Sequence, residues 1–203
     1  MSRSIIKHMP IKPNQELAFL FDDLPLVGNE SSDDYCGLLK AIVADAAPTD
    51  AIGWLFLKSV VDATWDIRRE YQVKAGIIRL YQKDVVLDLL KTTQDDPTSI
   101  EAHKYRIFRA TNEADRWAVD ASVRKKVDST LEARGYLPSE VLARACVKAS
   151  DQIDAVDRRI ASLEARRMSI LREIERRKDK EFARRLEKST SEVLDAQFSE
   201  AAE

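Results

Sequence analysis

Starting at Phe56, apolar side chains recur at Val60, Ala63, Ile67, Tyr71, Ile78, Tyr81, Val85 and Leu89, with only Lys74 interrupting the run of three- and four-residue steps. A strand would alternate every second residue, so this period belongs to one face of an α-helix. It predicts a helix from Ala51 to Lys91, about 60 Å long at about 1.5 Å per residue. Gly76 lies inside it. Relative to alanine it costs a helix about 1 kcal/mol, and it suggests a bend or a close helix crossing.

Upstream, Ser31 or Ser32 can cap a helix beginning DDYCGLLKAIVADAA, with Asp33 and Asp34 in its first turn. Carboxylates are favoured there by the positive end of the helix dipole. Pro48 stops that helix, and Thr49 or Asp50 caps the next. Downstream, TTQDDPTS at 92–99 reads as a turn. Two shorter helices follow, around IEAHKYRIF and EADRWAVDASVRKKVDSTLEAR, the second with a break near Asp120 and a left-handed end at Gly135.

Pro138 and Ser139 open the last helix, and neither Pro nor Gly follows. Uninterrupted from 139 to 188, it would be about 75 Å long. Helices beyond about 25 residues point to a coiled coil. Its heptad positions are Ile153, Val156, Ile160, Leu163, Arg167, Ile170, Ile174 and Arg177. The six apolar ones are the candidate oligomer interface, because an uncovered apolar stripe on a protruding helix is costly. A path through Ile160, Leu163, Arg167, Leu171, Ile174, Lys178 and Phe182 fits the later part slightly better; its eleven-residue spacing suits a nearly straight helix.

These elements predict an all-α fold, an elongated helical bundle with a long C-terminal helix of coiled-coil character. The expected organisation is an irregular arm over residues 1–30, a helical body over 31–137, a long charged helix over 138–188 and an acidic tail over 189–203. The arm contains LAFLFDDLPLV, too apolar to lie free in water, so it should dock on the body or on a protein partner. Only five Gly and six Pro occur in 203 residues, too few for the many turns of a sheet-rich fold.

Charge sharpens the question the last helix poses. The formal net charge of −2 is segregated: residues 1–50 carry four basic and eight acidic side chains, and 189–203 carry four acids and no base. Residues 158–188 carry twelve basic and six acidic side chains. The doublets Arg158-Arg159, Arg166-Arg167 and Arg176-Arg177 could grip nucleic-acid phosphates. They recur at eight and ten residues, however, and so wind round the helix instead of holding one line. Only Ser162 and Ser169 are available there to read base edges. Arg158, Arg159, Arg166, Arg176 and Arg177 are therefore candidates for nonspecific contact, and the acidic tail could fold back to compete for them.

Chemistry is sparse. His8 and His103 have no metal-ligand spacing, and the scattered glycines form neither a phosphate cradle nor a nucleophile elbow. Asp22-Asp23, Asp33-Asp34 and Asp95-Asp96 sit beside turns or helix starts, where aspartate is common for local reasons. Trp54 and Trp65, three helical turns apart, read as core; Trp117 could be half exposed. Cys36 and Cys146 are far apart and fit a reducing cytoplasm. The first residues lack the apolar core of a secretory signal, and AIGWLFL at 51–57 is too short to span a bilayer.

The stretches FDDLPLVGNESSDDY, LLKTTQDDPTSIEAHKYRIF, RGYLPSEVLARA and QIDAVDRRIASLEARRMSILREIERR resemble a family of uncharacterised bacterial helical proteins, mostly alphaproteobacterial, with no established activity. The resemblance spans nearly the whole chain and implies a bacterial cytoplasmic protein; it transfers no catalytic or binding residue. The sequence as a whole leads to the expectation of a non-enzymatic, cofactor-free interaction or scaffold protein that homo-oligomerises through its long helix. The alternative is a DNA-associated accessory protein using the basic surface of residues 158–188.

Overall fold

The structure is a computed structural model that describes Pro13, residues 15–92 and residues 99–200, with side chains for residues 13, 16–92 and 99–189. His8, Asp95-Asp96 and most of the 92–99 turn lie outside the described residues, as do the side chains of the acidic tail beyond Ser189. Among the described residues the fold is all-α, with no strand. A 3-10 turn, Gln15–Phe21, precedes six α-helices: α1 Ser32–Ala46, α2 Ala51–Thr92, α3 Ile100–Val119, α4 Ala121–Glu132, α5 Pro138–Lys148 and α6 Ser150–Glu200. Two compact units result, one of residues up to Ile67 together with those from Ala161 onward, the other of Arg68–Ile160.

The first unit begins with local signals. The Ser31 hydroxyl accepts from the Asp34 amide at 3.1 Å and caps α1. At the other end Ala47 adopts a left-handed conformation, φ 44° and ψ 58°, and its amide donates to the Val43 carbonyl. That backbone costs an alanine about 1–2 kcal/mol. Asp50 then opens α2, its carboxylate accepting from the Gly53 amide at 2.7 Å. A Cβ on Gly53 would stand 3.1 Å from that carboxylate and 3.3 Å from Pro48 Cβ, so a side chain there would press on this corner.

The core of this unit gathers Phe21, Tyr35, Leu39, Val43, Trp54, Leu57, Val61 and Trp65. Phe21 meets Trp54 edge-on at 5.7 Å and Tyr35 meets Trp65 at 5.4 Å, the T-shaped geometry that aromatic quadrupoles favour. The apolar arm thus docks on its own chain through Phe21, while Phe19 and Val27 stay exposed. Polar groups at the edge of this core are satisfied. Tyr35 Oη donates to Asp62 Oδ1 at 2.6 Å, Lys58 Nζ reaches both Asp62 oxygens, and Trp65 Nε1 donates to Glu30 at 2.9 Å.

The second unit is built around Val86, Leu90, Ala114, Trp117, Leu131 and Val141, among others. Here α2 runs antiparallel to the end of the chain segment. Glu70 pairs with Arg159, Lys74 with Asp157 and Asp88 with Lys148. The break expected near Asp120 is present: its carboxylate accepts from the Ser122 and Val123 amides and starts α4. The Ser122 hydroxyl and these amides hold the Asp120 carboxyl below its ordinary range. Gly135 has φ +88°, the left-handed end that the sequence suggests.

Four expectations need correction. The two short helices expected after the turn are joined through residues 109–112, because Ala110, Ala114 and Trp117 form one buried stripe along α3. Gly76 marks no close crossing: a Cβ there would meet nothing within 4 Å, and α2 passes through it unbroken. The helix expected to run from 139 is interrupted at Ala149, φ −96° and ψ 7°. The interruption is slight, since the Ala149 amide still bonds the Ala145 carbonyl and the Ile153 amide bonds that of Ala149. Finally, the helix expected to end near residue 188 continues, as part of α6, through Glu200.

Candidate functional site

The six residues of the expected oligomer seam fall into two groups. Val156 and Ile160 are 1% and 5% exposed, so they are packed within their own chain and cannot form a seam with another. Ile153, Leu163, Ile170 and Ile174 are half-buried. Of the expected seam, Val156 and Ile160 thus belong to the chain's own core, while the other four stay partly accessible.

The basic residues are similarly engaged. Arg159 donates two hydrogen bonds, each 2.9 Å, to the Glu70 carboxylate, and this pairing raises the arginine's pKa above its ordinary value. Arg176 forms a fork with Glu173, whose carboxyl is held below its usual range by that bond. Arg177 bonds Asp50 at 2.9 Å and lies over the Phe56 ring, 5.8 Å from its centroid. Arg158 donates to the Asp154 carbonyl of its own helix. Arg166 is exposed. Of the five candidates, Arg159 and Arg177 are each tied to a carboxylate distant in sequence.

A cleft of about 490 Å³ lies in the first unit where the α1–α2 corner meets α6, lined by Ala47, Pro48, Phe56, Ile174, Arg177 and Arg184, among others. Lys178 Nζ donates to the Asp45 carbonyl at 2.8 Å, a cation on the negative end of α1. Arg177 meanwhile binds the residue that caps α2. Neighbouring residues thus clasp the end of one helix and the start of the next. Sequence reasoning missed this clasp; the clue was a basic pair opposite Asp45 and Asp50, which only the tertiary fold aligns.

Beyond the clasp α6 changes character. Every residue from Lys178 to Ser189 is exposed, including Phe182 at 67% and Leu186 at 57%. Four residues apart, these two share a face. Phe182 was the end of the eleven-residue path in the sequence, the one signal that could have shifted attention here.

Elsewhere the geometry is structural. Trp117 is buried, donates to Asp128 at 2.7 Å and carries the Arg124 guanidinium 5.3 Å from its ring centroid, so it presents no face to a base. His103 lies on α3 beside Arg106. Among the described residues no three His, Cys, Asp or Glu side chains converge to hold a metal ion, and no helix is long and apolar enough to cross a membrane. What the fold defines, among the described residues, is an all-α protein with exposed apolar side chains at Phe182 and Leu186. No family model, curated protein or solved structure matches the chain.

Proposed function

We propose that the protein is a non-enzymatic interaction protein that self-associates through the distal part of α6 and works in a reducing cytoplasm. One observation supports this reading: Phe182 and Leu186, four residues apart on α6, are 67% and 57% exposed. In proteins most helical stability comes from packing of an apolar face. The free cysteines Cys36, which is buried, and Cys146 accord with the reducing compartment. Light scattering at tens of micromolar tests the reading. The expected mass exceeds one chain, and Phe182→Glu with Leu186→Glu should reduce it to one while the helical signal of the body persists. A single-chain mass for the unaltered protein overturns the proposal.

The DNA-associated alternative stands second, because Arg159, Arg176 and Arg177 already have carboxylate partners.

A further inference from the structure

We infer that α3 carries a docking face for a single strand of nucleic acid, held through its base faces and phosphates whatever its sugar. The inference is independent of the self-association reading and of the basic stretch 158–188.

Two aromatic rings carry it. Tyr105 and Phe108, both on α3, are 68% and 67% exposed. Three residues apart on a helix, their Cβ atoms stand about 5–6 Å from each other on one face. At about 3.6 residues per turn, each residue advances about 100° round the axis. In that projection the order is Lys104, Phe108, Tyr105, Arg109: two rings with a cation on either side. All four residues are exposed. The buried stripe of Ala110, Ala114 and Trp117 falls on the opposite side of α3, so the rings are turned from the core.

Charge selects the occupant. From Glu101 to Asn112 the sequence has one carboxylate, Glu101, against Lys104, Arg106 and Arg109. Glu101 sits in the first turn of α3, where the helix dipole favours an acid for local reasons. Further along, Asp115 is paired with Lys83. The centre of a protein-binding surface is depleted of charge. Here a cation stands one turn from each ring, Lys104 from Phe108 and Arg109 from Tyr105. A nucleic-acid strand uses both groups, a base stacking on the ring while a phosphate meets the cation. Asn112, exposed and one turn beyond Phe108, adds an amide suited to a base edge. Duplex DNA hides its base faces in the stack and gains the phosphate contacts alone. A single strand can splay one base onto each ring.

Fluorescence anisotropy on the full chain at about 50 mM salt tests this, using a labelled mixed-sequence oligonucleotide of about 12 nucleotides. DNA and RNA single strands should bind alike, and the same sequence as a duplex should bind far more weakly. Tyr105→Ala and Phe108→Ala should each weaken strand binding about tenfold. Leucine at both positions keeps an apolar surface without a π face, and should be as damaging as alanine. Tryptophan at both should preserve binding. Lys104→Gln with Arg109→Gln should flatten the logarithmic salt slope by about 1.4. Since all four side chains are exposed, the helical signal and melting temperature of every variant should match the unaltered protein. Equal affinity for strand and duplex, or strand binding that survives the double alanine change, overturns the inference. Absence of strand binding overturns it too; if the alanine changes then lower the mass seen by light scattering, the face is a protein contact instead.

Discussion

Tyr35 is a constrained polar side chain inside the first core. Its ring is fully buried and its hydroxyl has one acceptor, Asp62. Burial first, then the hydrogen bond to Asp62, push the phenol well above its ordinary value of 10.0. The sign of the consequence is fixed. Below about pH 10 both folded and unfolded chains hold the proton, and stability is indifferent to it. Above that, the unfolded chain releases the proton while the folded chain keeps it, so stability falls as pH rises. The slope from this group approaches about 1.4 kcal/mol per pH unit. Denaturant unfolding between about pH 9 and 11 should show the fall. Tyr35→Phe should flatten it, at a cost of about 1–2 kcal/mol near neutrality for the lost hydrogen bond. An unchanged alkaline slope in the variant would show that another group is responsible.

Among the elements, α2 offers the cleanest test. Since a methyl group at Gly76 would meet nothing within 4 Å, Gly76→Ala should stabilise the protein by about 1 kcal/mol. In a chain of this size that raises Tm by about 2–4 °C. A lower Tm on calorimetry would mean that the glycine serves a bend after all. Much at this scale was legible in the sequence, because its causes are local. Ser31 with Asp33 and Asp34, Pro48 with Asp50, Asp120 and Gly135 each act on the turn in which they sit. The interruption at Ala149 was not legible. No Pro, Gly or capping side chain marks it, and Ala149 is itself fully buried, so its backbone answers to packing. The union of the two expected helices into α3 escaped for the same reason: Ala110 and Ala114 look unremarkable until both are found inside the core.

For the whole molecule, the distribution of charge separates the two functional readings. With Arg159, Arg176 and Arg177 held by carboxylates, retention of random duplex DNA is expected to be negligible even at about 50 mM salt, where phosphate contacts are strongest. Arg158→Gln and Arg166→Gln together should leave the anisotropy of a labelled duplex unchanged. Arg177→Gln should instead lower the melting temperature of the protein, because it removes the tie to Asp50. Tight binding at low salt that is lost steeply by about 200 mM would favour the nucleic-acid reading. The sequence announced a charged helix with an apolar stripe, but it could not say which segment of that helix is covered. Val156 and Ile160 have the same spacing as Phe182 and Leu186; only the fold decides that the first pair is inside.

The clasp of Arg177 and Lys178 on the α1–α2 corner has a counterpart in time. All the buried residues of the first core, Phe21 to Trp65, are synthesised before Arg68. The two clasp residues join the same unit only after the intervening Arg68–Ile160 has been made, a delay of roughly 5–20 s at roughly 5–20 residues per second. Throughout that interval the Asp50 carboxylate and the Asp45 carbonyl lack these two partners. Arg177 and Lys178 therefore act as a late latch on residues that come much earlier in the chain.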